Sequence, residues 1–342
     1  MVAIVPQIDA LEVFRSVQRN TDVHVGDSTY SGQNVAFISS YGDEKAAKLV
    51  SSLKQLNGAN LTTGYHEYKF LPIEQVFDPS NLFKYYSNTQ EDTGRFKLFA
   101  LRKSLRSIME IPLHIHKNLE FDIVANENEA TIAYDWRNDK KSTADPRLLY
   151  SGLKFEQKAT AKSDISPDFH IIVKSSYGNL DVFLDAEVDA YRDTPTIENF
   201  IELKTHPKNQ KIDHFLWRKL VAAWCQTWFI GTRNVIVGFR KKLPKGNYSV
   251  ASSKTFKTAD IPKIPFVERA IEGGKFTTIT CKKLELFYIR VLMWLYEQLR
   301  GTKKEIGYLL KYDGTTHIIS LHKMSKKRYS ERKNLLDPRR RH

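Results

Sequence analysis

Residues Gly178–Thr205 read GNLDVFLDAEVDAYRDTPTIENFIELKT, and the rest of the chain is organised around this stretch. Its first half alternates apolar and polar side chains, which is typical of a half-buried strand. Side chains two positions apart on a strand point the same way, so Glu187 and Asp189 share one face. A second strand is predicted after a short polar link, and there Glu202 and Lys204 share a face. If the two strands pair, three carboxylates and one ammonium meet in a small volume.

Carboxylates gathered in this way repel one another unless a cation lies between them. Their hard oxygen atoms suit Mg²⁺ or Mn²⁺. An Asp followed in a nearby strand by Glu-x-Lys is also the arrangement of metal-dependent nucleases that cut phosphodiesters. The alternative interpretation is structural, because an exposed sheet face often carries Glu and Lys as solvated cross-strand pairs.

Composition indicates a folded protein with a polyanionic partner. The 342 residues are 41% hydrophobic and 12% aromatic, which is ample for a core, and the chain is long enough for one large domain or two ordinary ones. The net charge of +14 and the pI of about 9.5 favour nucleic acid first and an anionic membrane surface second.

Several other classes of protein are disfavoured. No apolar run approaches the ~20 residues that a membrane span needs, and residues Met1–Pro6 lack the basic flank of a signal peptide. Two cysteines, Cys225 and Cys281, exclude a disulfide framework or a cysteine zinc site and favour a reducing, intracellular compartment.

Strands interleaved with helices predict an α/β fold. Aromatic residues at helical spacing in the helix that follows Lys204 are expected to be core, and Gln226 on that helix has an amide that needs a partner if it is buried. The predicted elements are a helix over Phe96–Met109, a helix over Arg147–Glu156, a hairpin over Phe169–Ala190, a helix over Asp213–Phe229, a strand over Asn234–Arg240 with a return strand over Tyr248–Thr258, a helix over Leu284–Arg300 and a hairpin at Asp313-Gly314.

Two further patterns have more than one interpretation. His114 and His116 at the start of a predicted strand could bind zinc, but no third ligand is nearby in sequence. The C-terminus carries Lys326-Lys327-Arg328 and Arg339-Arg340-Arg341, which indicate either a solvated, disordered tail or a segment for RNA contact or nuclear import. We therefore expect a domain over residues 1–324 and a basic tail over 325–342.

Five segments in order resemble the DXO family of RNA 5′-end decapping nucleases. The family's sequences carry an arginine motif, G-Y-x-x-E, E-x-D, E-x-K and a glutamine after a tryptophan-rich run. The matching segments here are Arg102 before Pro112, Gly152-Leu153-Lys154-Phe155-Glu156, Glu187-Val188-Asp189, Glu202-Leu203-Lys204 and Gln226 in Trp224-Cys225-Gln226, followed by Asn234–Arg240. The match looks closer to the fungal cytoplasmic branch than to the branch that partners a nuclear exoribonuclease.

The resemblance implies a single large α/β domain, with central mixed sheets, flanking helices and a deep active-site cleft. It implies a hydrolase that releases the whole cap dinucleotide of RNA, including incompletely methylated caps, and degrades RNA 5′→3′ in mRNA quality control. A metal-dependent DNA nuclease and a non-catalytic RNA-binding protein are the alternatives. The expected partner is RNA with a capped or modified 5′ end, and neither a membrane nor a stable protein partner is expected. The protein is expected to be a monomer in the cytoplasm, with a nuclear location as the alternative.

The resemblance also assigns roles to eight residues. Two divalent ions, Mg²⁺ or Mn²⁺, would be held by the metal ligands, and four of the residues would be catalytic. The metal ligands are Glu156, Glu187, Asp189, Glu202 and the Leu203 carbonyl; the catalytic set is Glu187, Asp189, Glu202 and Lys204; Arg102, Glu156, Lys204 and Gln226 would bind the substrate.

Overall fold

Two mixed sheets and the helices around them make up the computed structural model, which describes residues 5–19, 35–69, 79–87, 94–135, 145–163, 165, 168–208, 219–264 and 279–336. The strands are β1 Gln7–Asp9, β2 Val35–Gly42, β3 Phe96–Leu101, β4 Leu119–Ala125, β5 Glu129–Tyr134, β6 Phe169–Tyr177, β7 Leu180–Glu187, β8 Ala190–Tyr191, β9 Phe200–Pro207, β10 Asn234–Lys242, β11 Tyr248–Lys257, β12 Ile306–Asp313 and β13 Ile318–Lys323. The helices are α1 Ala10–Arg19, α2 Leu53–Leu56, α3 Ser80–Ser87, α4 Arg102–Met109, α5 Pro146–Ala159, α6 Val221–Trp228, α7 Cys281–Leu299 and α8 Lys326–Leu336.

The two sheets differ in size and in strand order. Among the described residues, the larger sheet has the order β1-β13-β12-β4-β5-β3-β7-β6-β2, and the smaller one has the order β11-β10-β9-β8. Strand β3 is parallel to both β5 and β7, and β10 is parallel to β9, whereas the other pairs are antiparallel. The α/β fold class with mixed sheets and flanking helices is therefore confirmed.

Strand β7 carries the chain out of the larger sheet. Its residues Leu180, Val182 and Leu184 lie in the main hydrophobic core, and because side chains alternate, Asp185 and Glu187 point to the other face. The strand ends at Glu187, and the chain enters the smaller sheet at β8. The expected pairing of the two carboxylate-bearing strands is thus wrong in detail, because it is the short β8, and not β7, that pairs with β9.

The predicted helix over Phe96–Met109 is wrong in its first half. Phe96–Leu101 forms β3, and helix α4 begins at Arg102. The apolar run FKLFAL lies between two parallel neighbours and is buried on both faces, so its hydrophobic pattern resembles that of a buried helix segment. Tertiary packing, which cannot be read from the local sequence, decides between a buried strand and a buried helix here.

The elements predicted from Arg147 onward agree with the structure apart from their boundaries. Helix α5, the β6–β7 hairpin, the β10–β11 pair, helix α7 and the β12–β13 hairpin are all present. The predicted helix over Asp213–Phe229 includes α6, whose Val221, Trp224 and Trp228 are buried in the core, while residues 209–218 lie outside the described residues. No helix in the described part of the chain is long and apolar enough to span a bilayer.

The start of the expected C-terminal tail is folded. Helix α8 packs against the larger sheet, where the Arg328 Nε atom lies 2.6 Å from Asp122 Oδ1 and the Arg332 Nε atom lies 2.6 Å from Asp122 Oδ2. Asp122 is fully buried, so these ion pairs compensate a carboxylate that would be costly to leave alone. Disorder is therefore wrong for these residues; Arg339–Arg341 lie outside the described residues, and the division after residue 324 stays a prediction.

Helix α5 is held on the smaller sheet by a close approach that requires glycine. A Cβ atom at Gly238 of β10 would lie 2.5 Å from the Phe155 Cε2 atom, and Phe155 is fully buried. We expect Gly238→Ala to lower the free energy of unfolding by about 1–3 kcal/mol through overpacking, as measured by urea denaturation.

Gly152→Ala is the matched control for that substitution. Gly152 lies on α5 itself, and among the described residues an added Cβ there would meet only Thr205 Oγ1, at 3.8 Å. Because alanine is the better helix former, this variant should be neutral or more stable by up to about 1 kcal/mol. Equal stability of the two variants would contradict the proposed clash.

Candidate active site

Three carboxylates converge where the two sheets meet. Glu156 comes from α5, Glu187 from the last position of β7, and Asp189 from the link to β8. One carboxylate oxygen of each residue lies within 4.8 Å of those of the other two, and no other group of three His, Cys, Asp or Glu residues with this geometry occurs in the described ranges. The sequence prediction that Glu187 and Asp189 lie together is confirmed, and Glu156 joins them.

Burial and mutual repulsion hold two of these carboxyls back from ionising. The pKa of Glu156 is raised well above its usual range, chiefly by burial and then by the charges of Asp189 and Glu187. Burial, followed by Asp189 and Asp168, raises the pKa of Glu187 to about 7. The cluster therefore carries more acidic groups than its surroundings neutralise.

Asp189 is the member of the cluster that stays ionised. Its Oδ2 atom accepts the backbone N–H of Leu203 at 2.8 Å and lies 3.5 Å from Lys204 Nζ. Burial opposes ionisation, but Lys204, Arg102 and the Leu203 hydrogen bond together lower the pKa of Asp189. The Glu-x-Lys segment therefore holds this carboxylate in place.

Glu202 lies beside the cluster rather than within its group of three. It accepts a hydrogen bond from Lys204, and its Oε2 atom lies 3.5 Å from Arg102 Nη1. Burial and the nearby Asp189 raise the pKa of Glu202. Burial opposes the charged form of Lys204, but Asp189 and Glu202 together raise the pKa of Lys204. Lys204 is therefore a charged ammonium between two carboxylates, and the expected role of Glu202 as a metal ligand stays a prediction.

Helix α4 contributes two arginines to this region, one of which the sequence analysis missed. Arg102 approaches Glu202, and Arg106 lies one turn further along the same face of the helix. The Arg106 Nη1 atom donates to Gln226 Oε1 at 3.0 Å, and its Nε atom donates to Glu110 at 2.9 Å. The partner that the buried Gln226 amide needs is thus Arg106, which the i,i+4 spacing from Arg102 could have indicated.

Lys162 is a second basic residue near the cluster that no sequence pattern identified. It is buried, and its Nζ atom lies 3.8 Å from Asp168 Oδ1. Its positive charge lowers the pKa of both Glu156 and Glu187, and so opposes the larger effect of burial. Lys162 therefore neutralises part of the negative charge of the cluster.

The two histidines considered as zinc ligands are placed elsewhere. His114 and His116 are exposed and lie between α4 and β4, not on a strand. The predicted strand start is wrong because Ile111–Leu113 forms a short 3₁₀ turn. Neither histidine belongs to a group of metal-ligating residues within the described residues.

The donor set of the cluster fits a hard divalent cation. All three residues offer carboxylate oxygens, they are close enough to share one ion, and a cation would remove the repulsion that adds to burial in raising the pKa values of Glu156 and Glu187. Zinc sites, by contrast, favour histidine nitrogen and cysteine sulfur. The arrangement is therefore chemically suited to Mg²⁺ or Mn²⁺.

Two known proteins are similar to this chain in sequence. The chain is 23% identical over 304 residues to the decapping nuclease RAI1 of Candida albicans, covering 75% of this chain and 76% of that protein. It is 32% identical over 163 residues to the decapping and exoribonuclease protein of Xenopus laevis, covering 41% and 39% of the two chains.

A solved structure has the same fold. The Candida albicans Rai1, solved in complex with pU5 and Mn²⁺, superposes with a TM-score of 0.75 at 20% identity, over 90% of this chain and 94% of that one. Of these three matches, the two with the widest coverage carry the name Rai1. The expected placement in the fungal cytoplasmic branch has no support in them and stays a prediction.

A family model decides the relationship. The model of the RAI1-like PD-(D/E)XK nucleases matches residues 28–339, which is most of the 342-residue chain. The chain belongs to the RAI1-like PD-(D/E)XK nuclease family.

Proposed function

We propose that the protein is a metal-dependent hydrolase that cuts a phosphodiester at the 5′ end of RNA. It would release the whole cap dinucleotide, including incompletely methylated caps, and then degrade the RNA 5′→3′. The observation that carries the proposal is the group of three carboxylates, within 4.8 Å of one another beside a charged lysine, in a chain of a nuclease family. Relatives named as decapping nuclease and as decapping and exoribonuclease protein support the choice of RNA 5′ ends.

Glu156, Glu187 and Asp189 would hold divalent ions, with Glu202 and the Leu203 carbonyl as further ligands of a two-ion site. Mg²⁺ or Mn²⁺ suits the oxygen donors, and the Candida albicans Rai1 was solved with Mn²⁺. When bound, such ions supply the Lewis acidity that activates the attacking water and stabilises the leaving oxygen.

Lys204 would position the attacking water or neutralise charge that develops on the phosphate. Its contacts with Asp189 and Glu202 fix the ammonium at the edge of the cluster. Because those carboxylates raise the pKa of Lys204, it stays protonated at neutral pH and acts as a hydrogen-bond donor rather than as a base.

Arg102 and Gln226 would hold a phosphate of the RNA backbone. Arg106 occupies the amide oxygen of Gln226, which leaves the amide N–H groups as the donors for a phosphate oxygen. Arg102 brings a guanidinium to the same region, and such a group can grip a phosphate with two hydrogen bonds. The net charge of +14 favours a polyanionic substrate in general.

One cut accounts for both activities. Hydrolysis at the first phosphodiester removes a cap dinucleotide of any methylation state, and the same cut on the trimmed RNA removes one nucleotide at a time. An NAD-type cap would leave by the same step. We also propose a role in mRNA 5′-end quality control, in the cytoplasm and as a monomer without a stable protein partner.

The decisive experiment incubates the protein with cap-labelled RNA and Mg²⁺ or Mn²⁺ and identifies the labelled product. We expect the intact cap dinucleotide from the unmodified protein. Asp189→Asn should lower the rate at least about a hundredfold, because it removes the ionised member of the cluster, while RNA binding persists.

Asp181→Asn is the matched control, since Asp181 is a buried aspartate near the start of β7, where it forms an ion pair with Lys174 at 3.1 Å. It should cleave at the normal rate. Unimpaired cleavage by Asp189→Asn would show that Asp189 is not part of the active site. In a parallel reaction, preferential digestion of DNA over RNA would favour the alternative of a DNA nuclease.

The raised pKa of Glu187 predicts how metal affinity depends on pH. In the metal-free protein this carboxyl keeps its proton below about pH 7, and a metal ligand must be deprotonated. Mn²⁺ binding should therefore release protons at about pH 6, and the affinity should rise as the pH rises through about 7.

Calorimetric titration of Mn²⁺ in buffers of different ionisation enthalpy measures this proton release. Glu187→Gln should release fewer protons and bind more weakly, whereas Asp181→Asn should behave as the unmodified protein does. An Mn²⁺ affinity that falls as the pH rises through about 7 would contradict the assignment of Glu187 as a ligand.

A further inference from the structure

Three aromatic rings from three different elements are stacked in a row beside the carboxylate cluster. The His170 ring of β6 lies 4.9 Å from the Tyr41 ring of β2, with 20° between their planes. The Tyr41 ring in turn lies 5.9 Å from the Tyr85 ring of α3, with 17° between the planes. All three side chains are partly exposed, that of His170 by 29%.

The register of the strands places this row against Glu187. Tyr41 is directly opposite His170 in the β2–β6 pair, and His170 is directly opposite Glu187 in the β6–β7 pair. Directly opposed residues on antiparallel strands have Cβ atoms about 4.5–5.5 Å apart. His170 therefore lies between Tyr41 and a member of the carboxylate cluster, as the first ring of the row.

A buried carboxylate fixes the orientation of the first two rings. Asp185 Oδ1 lies 2.9 Å from His170 Nδ1, and Asp185 Oδ2 accepts the Tyr41 hydroxyl at 2.5 Å. Asp185 is only 3% exposed, so both contacts are sheltered from water. The rings are thus held in parallel before any ligand arrives, which reduces the entropy lost on binding.

The row differs from the ordinary aromatic packing next to it. Tyr86, the neighbour of Tyr85 on α3, packs edge-to-face on Phe99 at 5.0 Å and on Phe183 at 4.9 Å. Edge-to-face contacts of this kind fill the core beneath the helix. Parallel and partly exposed rings present the surface on which nucleobases stack, without regard to sequence, in proteins that bind single strands.

We propose that His170, Tyr41 and Tyr85 form a stacking platform for a nucleobase of the RNA next to the phosphodiester that is cut. The inference rests on the proposed function, because the stacked base belongs to RNA held at the carboxylate cluster. His170 is the contact ring, and Asp185 is a positioning residue behind it. The platform accepts any base, which suits an enzyme that removes nucleotides one after another.

The test combines two substitutions of His170 with RNA that lacks a base. His170→Phe keeps a flat ring and loses the hydrogen bond to Asp185, whereas His170→Gln keeps a polar group and loses the ring. The substrates are 5′-monophosphorylated RNAs, either intact or with one abasic nucleotide at each of the first three positions, and kcat/KM is measured for every combination.

The abasic nucleotide should lower kcat/KM of the unmodified protein about fivefold or more at one of these positions, mainly through KM. His170→Gln should show the same loss on intact RNA and no further loss on that abasic RNA. His170→Phe should retain most of the activity and the sensitivity to the missing base. Tyr86→Leu, a tyrosine of the same helix outside the row, should behave as the unmodified protein does.

Two results would overturn the platform: equal impairment of His170→Phe and His170→Gln, or an abasic penalty that is the same with and without the His170 ring. Mn²⁺ titration and the melting temperature of each variant show whether the carboxylate cluster and the fold are intact. If the unmodified protein cleaves RNA but the abasic penalty does not depend on the His170 ring, only the platform is contradicted. If the unmodified protein cleaves no RNA, the proposed function is contradicted as well.

Discussion

The crowding of negative charge at the junction of the two sheets is the constraint on which the active site depends. Glu156, Glu187 and Asp189 come from a helix, a strand and a link, yet their oxygens lie within 4.8 Å. Burial makes their repulsion stronger than it would be in water. Such a cluster destabilises the metal-free folded chain and becomes favourable when a cation binds. The repulsion therefore lies at the position where the metal ion is needed for the reaction.

The scaffold and the basic residues make this crowding tolerable. The parallel β9–β10 pair carries the Glu-x-Lys segment, and α5 is pressed onto it where Phe155 meets Gly238. Lys204 and Lys162 each bring a positive charge near the cluster. Arg102, at the start of α4, lies 3.5 Å from Glu202, which is beside the cluster. The site is therefore assembled by elements that are distant in sequence and meet only in the folded protein.

The sequence revealed the parts of the site that depend on local periodicity. Glu187 and Asp189 were placed together because a strand alternates, whereas Glu156 came only from the family resemblance, since nothing local brings α5 to β8. Arg106 was missed because packing, rather than sequence, decides whether a helix face is solvated. The row through His170 depends on the register of three strands, which a single sequence does not specify.

The central claim, that these carboxylates share a metal ion, is tested most directly by anomalous diffraction at the manganese edge from crystals soaked in Mn²⁺. The account predicts an anomalous peak in contact with oxygens of Glu156, Glu187 and Asp189, and loss of that peak in Asp189→Asn crystals. Full Mn²⁺ soaking with no peak there, or with peaks only at other carboxylates, would contradict it.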